Sequence, residues 1–202
     1  TNNYTSIGAV TQAKDLDIHV TKDINILSQQ VSGEQKLGKD DSQYNYYGFE
    51  RNIGSVVKAE NLNTTASNLN IPGSAVTTKT ANLNVDKLNI ESKVDKEDEI
   101  RKSSYKSLLK SGSKKETIHN EENSAGSLYV EDKGTIKGDV NLVGSGGFSV
   151  GYGKSESKLK KDLTNAKSNL VLGDGTTLNK GADITATNLI HGNISINNGD
   201  VK

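Results

Sequence analysis

The sequence has little of what a thick hydrophobic core requires. It contains no cysteine, methionine or tryptophan and a single proline, and aromatic residues make up 4% of its 202 positions. Hydrophobic residues of every kind reach only 32%, which makes a compact globule difficult to build. A stacked solenoid buries only a few aliphatic side chains per turn, so this composition favours a repetitive fold with a thin core.

Further absences exclude classes of partner. The 25 basic and 25 acidic residues cancel, so no net field draws the chain to nucleic acid or to an anionic membrane surface. No apolar run approaches the roughly 20 residues of a membrane-spanning helix, and the polar residues 1–4 are not a signal peptide. We therefore expect a segment cut from a longer chain, with no nucleic-acid partner and no membrane span.

What the sequence does contain is a short alternating motif, in which a mostly polar residue stands between two aliphatic residues. This is the period-two pattern of a half-buried β-strand whose middle residue faces solvent. Three residues span only about 10 Å, which fits the short faces of a β-helix coil. The seven instances are Leu16-Asp17-Ile18, Ile24-Asn25-Ile26, Leu69-Asn70-Ile71, Leu83-Asn84-Val85, Leu88-Asn89-Ile90, Val140-Asn141-Leu142 and Ile194-Ser195-Ile196.

Leucines recur at the spacing of one solenoid turn. Leu62 and Leu83 are 83 − 62 = 21 positions apart, and Leu170 and Leu189 are 189 − 170 = 19 positions apart. Both spacings are close to one coil of a three-faced solenoid. We therefore predict an all-β fold, a right-handed parallel β-helix. Its strand-rich blocks are expected at about residues 13–28, 56–92, 127–143 and 163–202.

A longer internal similarity points to the same fold. Residues 62–69 resemble residues 163–170 at an offset of 163 − 62 = 101. At this offset further aliphatic residues of the two halves coincide without a gap. We therefore expect both halves of the chain to belong to one repeating structure.

Three stretches interrupt the coil pattern. Residues 29–55 are polar with a tyrosine cluster, residues 93–126 are rich in charge and serine, and residues 144–162 are rich in glycine and then in lysine. We predict that the whole chain, residues 1–202, is a single β-helix segment from which these stretches protrude as polar loops or short helices. Residues 98–110 and 157–167 carry aliphatic residues at helical spacing and are the candidate helices.

The strand motifs and the order of the parts resemble a known family. Reiterated Asn-Leu-Asn-Ile and Asp-Ile-Asn-Ile strands with Gly or Asn turns are similar to the haemagglutinin repeats of filamentous haemagglutinin-like exoproteins, including contact-dependent inhibition proteins. In those repeats a strand pair, here residues 83–92, precedes a Ser/Lys/Glu tract. A glycine-rich run then follows, here Ser145-Gly146-Gly147-Phe148-Ser149-Val150-Gly151-Tyr152-Gly153 and then Lys154-Ser155-Glu156-Ser157. The resemblance covers roughly residues 13–202, although residues 44–49 and 93–126 depart from plain repeats.

This resemblance implies both a location and a function. It implies a β-helix rod that a Gram-negative bacterium exports by two-partner secretion, with the help of an outer-membrane partner, to the cell surface or the medium. Cell adhesion, toxin delivery and virulence are the implied roles, although no secretion domain or toxin domain is recognisable in the sequence. The expected partner of the parent protein is a receptor, protein or glycan, on a host or neighbouring cell. The segment itself is expected to extend and display binding or toxin regions.

Nothing in the sequence indicates a catalytic, metal or cofactor site. His19, His119 and His191 lie far apart and form no H-x-x-H or H-E-x-x-H motif, which favours surface histidines. Since β-helices also carry polysaccharide lyases and glycosidases, carboxylates about 5 to 10 Å apart are relevant. The candidate pairs are Asp132 with Asp139, Asp40 with Asp41, and Asp174 with Asp183. We expect a protein that is not an enzyme and has no cofactor, with a carbohydrate-active enzyme as the alternative.

Several polar stretches have an ordinary structural interpretation. Residues 173–176 lack the successive acidic ligands of a calcium loop and predict a turn. Residues 144–153 lack the Lys-Ser/Thr pair of a phosphate loop, which favours a strand or hairpin. The lysine-rich residues 102–115 are flanked by acidic residues, so a solvated arm is expected. Stacked side-chain ladders along a rod are the expected role of Asn70, Asn84, Asn89 and Asn141.

One position in the chain favours partner binding. Tyr44, Tyr46, Tyr47 and Phe49 are four of the nine aromatic residues, and they fall within six positions. Clustered aromatic side chains supply contact area at a low cost in conformational entropy. The alternative is that these rings cover an exposed end or side of the β-helix.

Overall fold

The computed structural model describes residues 1–41, 43–106, 110–144, 168–180, 182–185 and 188–199. None of these residues lies in a helix long and apolar enough to cross a membrane. The described residues form strands joined by turns and short connections. The strands are β1 (Tyr4–Ile7), β2 (Val10–His19), β3 (Asp23–Leu27), β4 (Gln29–Asp40), β5 (Gln43–Ile53), β6 (Val56–Pro72), β7 (Ala75–Glu91), β8 (Lys93–Lys106), β9 (Ser111–Ser124), β10 (Ser127–Ile136), β11 (Asp139–Val143), β12 (Asn169–Leu172), β13 (Thr177–Leu178), β14 (Ala182–Thr185), β15 (Asn188–His191) and β16 (Ser195–Ile196).

Most strands belong to one parallel sheet that coils on itself. Twelve strands form this sheet, and each coil pairs in parallel with the next. The pairing of β6 with β7 runs from Val56 opposite Ala75 to Pro72 opposite Glu91, a constant offset of 75 − 56 = 19. Asn169 and Asn188 repeat the same offset. The chain is therefore all-β and forms a parallel β-helix, which confirms the predicted fold class, while its right-handed sense stays a prediction.

Aliphatic side chains from equivalent positions stack inside the coils. The alternation of the strand motif turns every second residue inward, and the neighbouring coil supplies the next member of each stack. Leu69, Leu83, Leu88 and Leu170 are almost completely buried, and Leu189 packs against the same core. One stack contains Ile24, Leu69, Leu88 and Val140, and another contains Ile18, Thr64, Leu83, Ile136 and Leu178.

The structure corrects two spacings that the sequence suggested. Leu62 lies opposite Ala81, not Leu83, so the coil has 19 residues and the spacing of 21 joins different positions. The offset of 101 is also not a structural register. Leu69 stacks in the last strand of its coil, whereas Leu170 stacks in the first strand of another. Segments of unequal length between coils make long sequence offsets meaningless for stacking.

A ladder of asparagine side chains runs along the outside of the coils. Asn70 Nδ2 donates to Asn25 Oδ1 at 2.8 Å, Asn89 Nδ2 to Asn70 Oδ1 at 2.7 Å, and Asn141 Nδ2 to Asn89 Oδ1 at 2.9 Å. This confirms the predicted ladder for Asn70, Asn89 and Asn141. Asn84 lies opposite Thr65 at an earlier position of the same two strands, β6 and β7, and is not part of this ladder. The amides fix the register, because a slip of one residue would break each bond.

Buried serines close the corner where one coil ends and the next begins. Each stands one residue before the first strand of its coil and donates its hydroxyl to a carbonyl at the end of the preceding coil. Ser55 donates to Leu27 O (2.8 Å), Ser74 to Pro72 O (3.2 Å) and Ser168 to Val143 O (2.7 Å). The fourth coil has Gly126 here, where a Cβ would lie 2.3 Å from Glu91 O. Each of these carbonyls also accepts a backbone N–H, from Gly8, Ser28 or Ser92, so the serine hydroxyls add a second hydrogen bond at the corner.

Two hairpins leave the coil at this corner and form a second sheet. One hairpin, β4 and β5, follows β3, and the other, β8 and β9, follows β7. The turn between β6 and β7 is short and contains Gly73 at φ 56°. β4 and β8 run away from the coils, and β5 and β9 return to them. These four strands form an antiparallel sheet in the order β4-β5-β8-β9. We call it the hairpin sheet.

The nature of these protruding stretches differs from the sequence prediction. Residues 29–53 and 93–124 are mainly paired strands, not polar loops or short helices. The helix predicted at residues 98–110 is wrong, because residues 98–106 lie in β8 and pair with β5 and β9. Hydrogen bonds to strands on both sides outweigh its weak helical spacing. The helix predicted at residues 157–167 and, apart from Gly144, the excursion at 144–162 lie outside the described residues.

Candidate partner-binding surface

The four aromatic residues singled out by the sequence lie on β5, an inner strand of the hairpin sheet. β5 pairs with β4 on one side and with β8 on the other. Successive side chains of a strand point to opposite faces, so Tyr44 and Tyr46 share one face and Tyr47 and Phe49 share the other. All four are partly buried. The structure thus separates them into two pairs on opposite faces of one sheet.

The first pair is surrounded by charged groups. Lys36 Nζ lies 4.4 Å from the centre of the Tyr44 ring, and Lys102 Nζ lies 5.7 Å from it. The Tyr46 hydroxyl donates to Glu34 Oε2 at 3.3 Å. Partial loss of hydration, with the nearby Glu34 carboxylate, raises the pKa of Tyr46. The face therefore presents a protonated phenol and a ring flanked by two cations.

The second pair, Tyr47 and Phe49, also packs within the hairpin sheet. The Tyr47 and Phe49 ring centres are 6.1 Å apart with an interplanar angle of 43°, and the Arg51 guanidinium lies 5.4 Å from the Phe49 ring. Phe49 also covers Gly33 on β4, where a Cβ would lie 2.8 Å from the ring. The ring takes the space of the missing side chain and protects the glycine backbone. This face therefore stabilises the sheet as well as offering aromatic surface.

A groove of about 770 Å³ opens beside Tyr46. The Tyr46 ring lies over Gly48, where a Cβ would lie 2.6 Å from the Tyr46 hydroxyl. The charged residues that line the groove are Glu34, Glu50, Lys96, Asp98, His119 and Glu121. Lys96 Nζ lies 3.8 Å from Glu50 Oε2, so the charges pair with one another inside the groove.

His119 holds two of these carboxylates together. It lies on β9 directly opposite Asp98 on β8, and its Nδ1 is hydrogen-bonded to Asp98 Oδ1. Its Nε2 lies 3.2 Å from Glu121 Oε1, while Glu121 Oε2 is buried without a partner in the described structure. The hydrogen bond to Asp98, with that to Glu121, raises the pKa of His119 against the opposing effect of desolvation. Protonated His119 can donate to both carboxylates at once.

We expect the hairpin sheet to become less stable as the pH rises through the raised pKa of His119. A folded-state pKa above the unfolded value, about 6.5, gives a contribution that is fully present below pH 6.5 and lost at higher pH. The charged groups facing His119 are Asp98 and Glu121, with Lys96 opposite Glu121. Amide hydrogen exchange of β8 and β9 at pH 6 and pH 8 measures the effect, after correction for intrinsic exchange rates. His119→Gln should abolish the difference; a difference that persists in this variant contradicts the assignment.

The other two histidines lie on the coils. His19 Nδ1 is 3.0 Å from Thr65 Oγ1, and His191 Nδ1 is 2.7 Å from Gly192 O. Both side chains are exposed. Within the described ranges, no three histidine, aspartate or glutamate side chains come close enough to hold a metal ion.

Two of the candidate carboxylate pairs are spread around the coil. Asp132 lies in β10, while Asp139 begins β11 and lies 3.7 Å from Lys180 Nζ. Asp174 lies in the turn after β12, where its Oδ1 accepts from Asn193 N at 2.8 Å, whereas Asp183 lies in β14. The members of each pair thus belong to different segments of the coil.

The remaining carboxylate pair and residues 173–176 lie at or beside turns. Asp40 ends β4, and Asp41 follows it with its Oδ1 2.6 Å from Lys36 Nζ, which lowers the pKa of Asp41. Asp174 and Gly175 form a turn in which Gly175 has φ 76°. The turn predicted at residues 173–176 is therefore confirmed.

Sequence reasoning missed the cluster of Asp98, His119 and Glu121. These residues come from two strands, and only the register of β8 with β9 places Asp98 opposite His119. No local motif encodes that register. The available signal was the alternation of Thr117 and His119 around Ile118, which is typical of a strand, but the surrounding charges obscured it.

A protein-family model matches part of the chain. Residues 31–107 match the hemagglutinin repeat family. The match begins in β4 and extends just past the end of β8, so it includes the coils of β6 and β7 and the four aromatic residues of β5. No curated protein and no solved structure matches the chain. Residues 31–107 are therefore similar to a filamentous haemagglutinin-like repeat region.

Proposed function

We propose that this chain is a non-catalytic segment of a secreted or cell-surface adhesin, in which the coils form a spacer and the hairpin sheet forms a contact surface. The hemagglutinin repeat at residues 31–107 supports an adhesin-type protein. The observation that carries the proposal is the difference between the two sheets. The parallel sheet buries stacked aliphatic side chains, whereas the hairpin sheet has aromatic and charged side chains on both faces.

The coils are suited to act as a stiff spacer. Each coil adds about 4.8 Å along the stack, and it is held by backbone hydrogen bonds and by aliphatic contacts to its neighbours. The ladder of Asn25, Asn70, Asn89 and Asn141 adds side-chain bonds in the same direction. A stack of this kind extends and displays the binding or toxin regions of a parent protein without needing chemistry of its own.

The hairpin sheet is suited to bind a receptor. Tyr44 and Tyr46 are held on an inner strand, so their rings are presented at little further entropic cost. Lys36, Lys102 and the charged groove add polar specificity. Each groove carboxylate has a partner, because Glu34 accepts from Tyr46 and the others contact Lys96 or His119. This arrangement favours binding over acid–base catalysis.

The family resemblance also suggests how the parent protein is exported and what it contacts. The parent protein would be exported by two-partner secretion through an outer-membrane partner of a Gram-negative bacterium. Its receptor would be a protein or glycan on a host or neighbouring cell. Contact-dependent inhibition and virulence are the settings in which such display would act.

The test compares two aromatic variants for cell binding. We expect the double variant Tyr44→Ala, Tyr46→Ala to bind at least about tenfold more weakly than wild type, since central aromatic residues dominate binding energy. Tyr105→Ala is the matched control, because Tyr105 lies on β8 outside the groove and is 56% exposed. The measurement is flow cytometry of the labelled chain on epithelial cells and on Gram-negative bacteria. Equal binding by both variants, or no wild-type binding to any cell, contradicts the proposed contact surface.

A further inference from the structure

β9 forms one edge of the hairpin sheet. It pairs with β8 along its whole length, from Ser111 to Ser124, and no other described strand pairs with it. An edge strand presents a row of backbone donors and acceptors that another strand can join. Charged side chains on an edge strand commonly hinder pairing with other chains. On β9, the order of the charges along the strand bears on which partner could pair with it.

The lysines and most of the glutamates of β9 lie toward opposite ends of the strand, with Glu116 directly after the lysines. Lys114 and Lys115 lie toward its beginning, and Glu121 and Glu122 lie toward its end. We propose that β9 pairs antiparallel with β9 of a second copy of this chain, about a two-fold axis that passes through Ile118. This pairing places Lys114 opposite Glu122 and Lys115 opposite Glu121, and the symmetry repeats both pairs.

Strand geometry selects this register over its neighbours. Directly opposed residues must share a face of the sheet, so the two-fold axis must pass through a residue and not between two. An axis at Thr117 would place no acidic residue opposite the lysines. An axis at His119 would bring Glu116 opposite Glu122. The axis at Ile118 gives opposite charges only, with the two partly buried Ile118 side chains in contact.

The pairing of β9 with β8 includes two pairs of like charge. Lys115 lies opposite Lys102 of β8, and Glu122 lies opposite Asp95. Like charges directly across a sheet are destabilising. A second copy would supply the opposite charge on the free side of β9. Glu121 lies opposite Lys96 and Glu116 lies opposite Arg101, so β8 matches part of the charge pattern and a second copy would add to it.

A charge exchange tests the proposal on the full chain. We expect the wild type to form a dimer in sedimentation equilibrium, and Lys114→Glu or Glu122→Lys alone to raise its dissociation constant about tenfold, because each creates two like-charge pairs. An equimolar mixture of the two variants should form a heterodimer of wild-type affinity, since opposite charges then meet again. Lys58→Glu, an exposed lysine on the coil, is the control and should dimerise as the wild type does.

Folding of the variants is checked by circular dichroism. Lys114 lies opposite Ser103, and Glu122→Lys would place a lysine opposite Asp95, so neither change adds a like charge within the hairpin. A monomeric wild type overturns the proposal and is the result expected if another segment of the chain covers β9. Dimers that are insensitive to both variants, or a mixture that fails to recover, also overturn it.

Discussion

Leu83→Ala is expected to lower the free energy of unfolding by about 2–5 kcal/mol. Leu83 is fully buried and stacks between Thr64 of the preceding coil and Ile136 of the following coil. The coils on either side are held at fixed spacing by backbone hydrogen bonds, so they cannot close the cavity. Urea unfolding followed by circular dichroism measures the loss.

Leu37→Ala is the matched control for this prediction. Leu37 lies on β4 of the hairpin sheet and is 60% exposed. Its truncation is expected to change the free energy of unfolding by no more than about 0.5 kcal/mol. Similar losses for the two variants would contradict a stability that rests on stacked coils.

Asp95→Ala is expected to cost about 1.5–3 kcal/mol, mainly in the hairpin sheet. The backbone pairing of β5 with β8 ends at Glu50 opposite Lys96. Beyond that point the Asp95 carboxylate links the two strands by hydrogen bonds. Its Oδ1 accepts from Asn52 N at 2.8 Å and from Asn52 Nδ2 at 2.7 Å, and its Oδ2 accepts from Ser124 Oγ at 2.9 Å. Alanine leaves Asn52 N without its acceptor, while Asn52 Nδ2 keeps Val94 O at 2.9 Å and Ser124 Oγ keeps Asn52 O at 3.2 Å. The contact between the hairpins is therefore weakened at their base.

Amide hydrogen exchange of β5 and β8 is the measurement for Asp95→Ala. Protection should fall in these strands and remain in the coils of β6 and β7. Asp86→Ala, at an exposed position on β7, is the control and should leave both sheets unchanged. Undiminished protection of β5 in Asp95→Ala would show that the carboxylate does not join the hairpins.

The sequence predicted the coils because their signal is local. A triplet such as Leu88-Asn89-Ile90 contains its own alternation, and the turns that separate such triplets fix the length of a coil. Most of the core could therefore be identified from these triplets, although Ile196 of the last triplet is 37% exposed. Thr64 is an exception, since it is buried in an aliphatic stack with its hydroxyl unpartnered, and no local pattern indicates a polar residue there.

The hairpin sheet could not be predicted in the same way. Its strands carry charged residues on both faces, so no apolar alternation marks them as strands. Their partners lie at separations set by the hairpin turns, and the pairing of Tyr46 with Ile100 crosses two complete coils. The aromatic cluster was visible from composition, but its division between two faces follows only once residues 43–53 are known to be a strand.

The serine-capped corner lets length and surface evolve separately. Because Ser55, Ser74 and Ser168 each add a hydroxyl hydrogen bond to a carbonyl on the coil side, the chain between two coils can be two residues or a whole hairpin without disturbing the stack. Duplication of 19 residues lengthens the rod, whereas insertion of a hairpin widens it by two strands that join those already there. A lineage can therefore change its reach and its recognition surface by independent insertions, each of which leaves the other property intact.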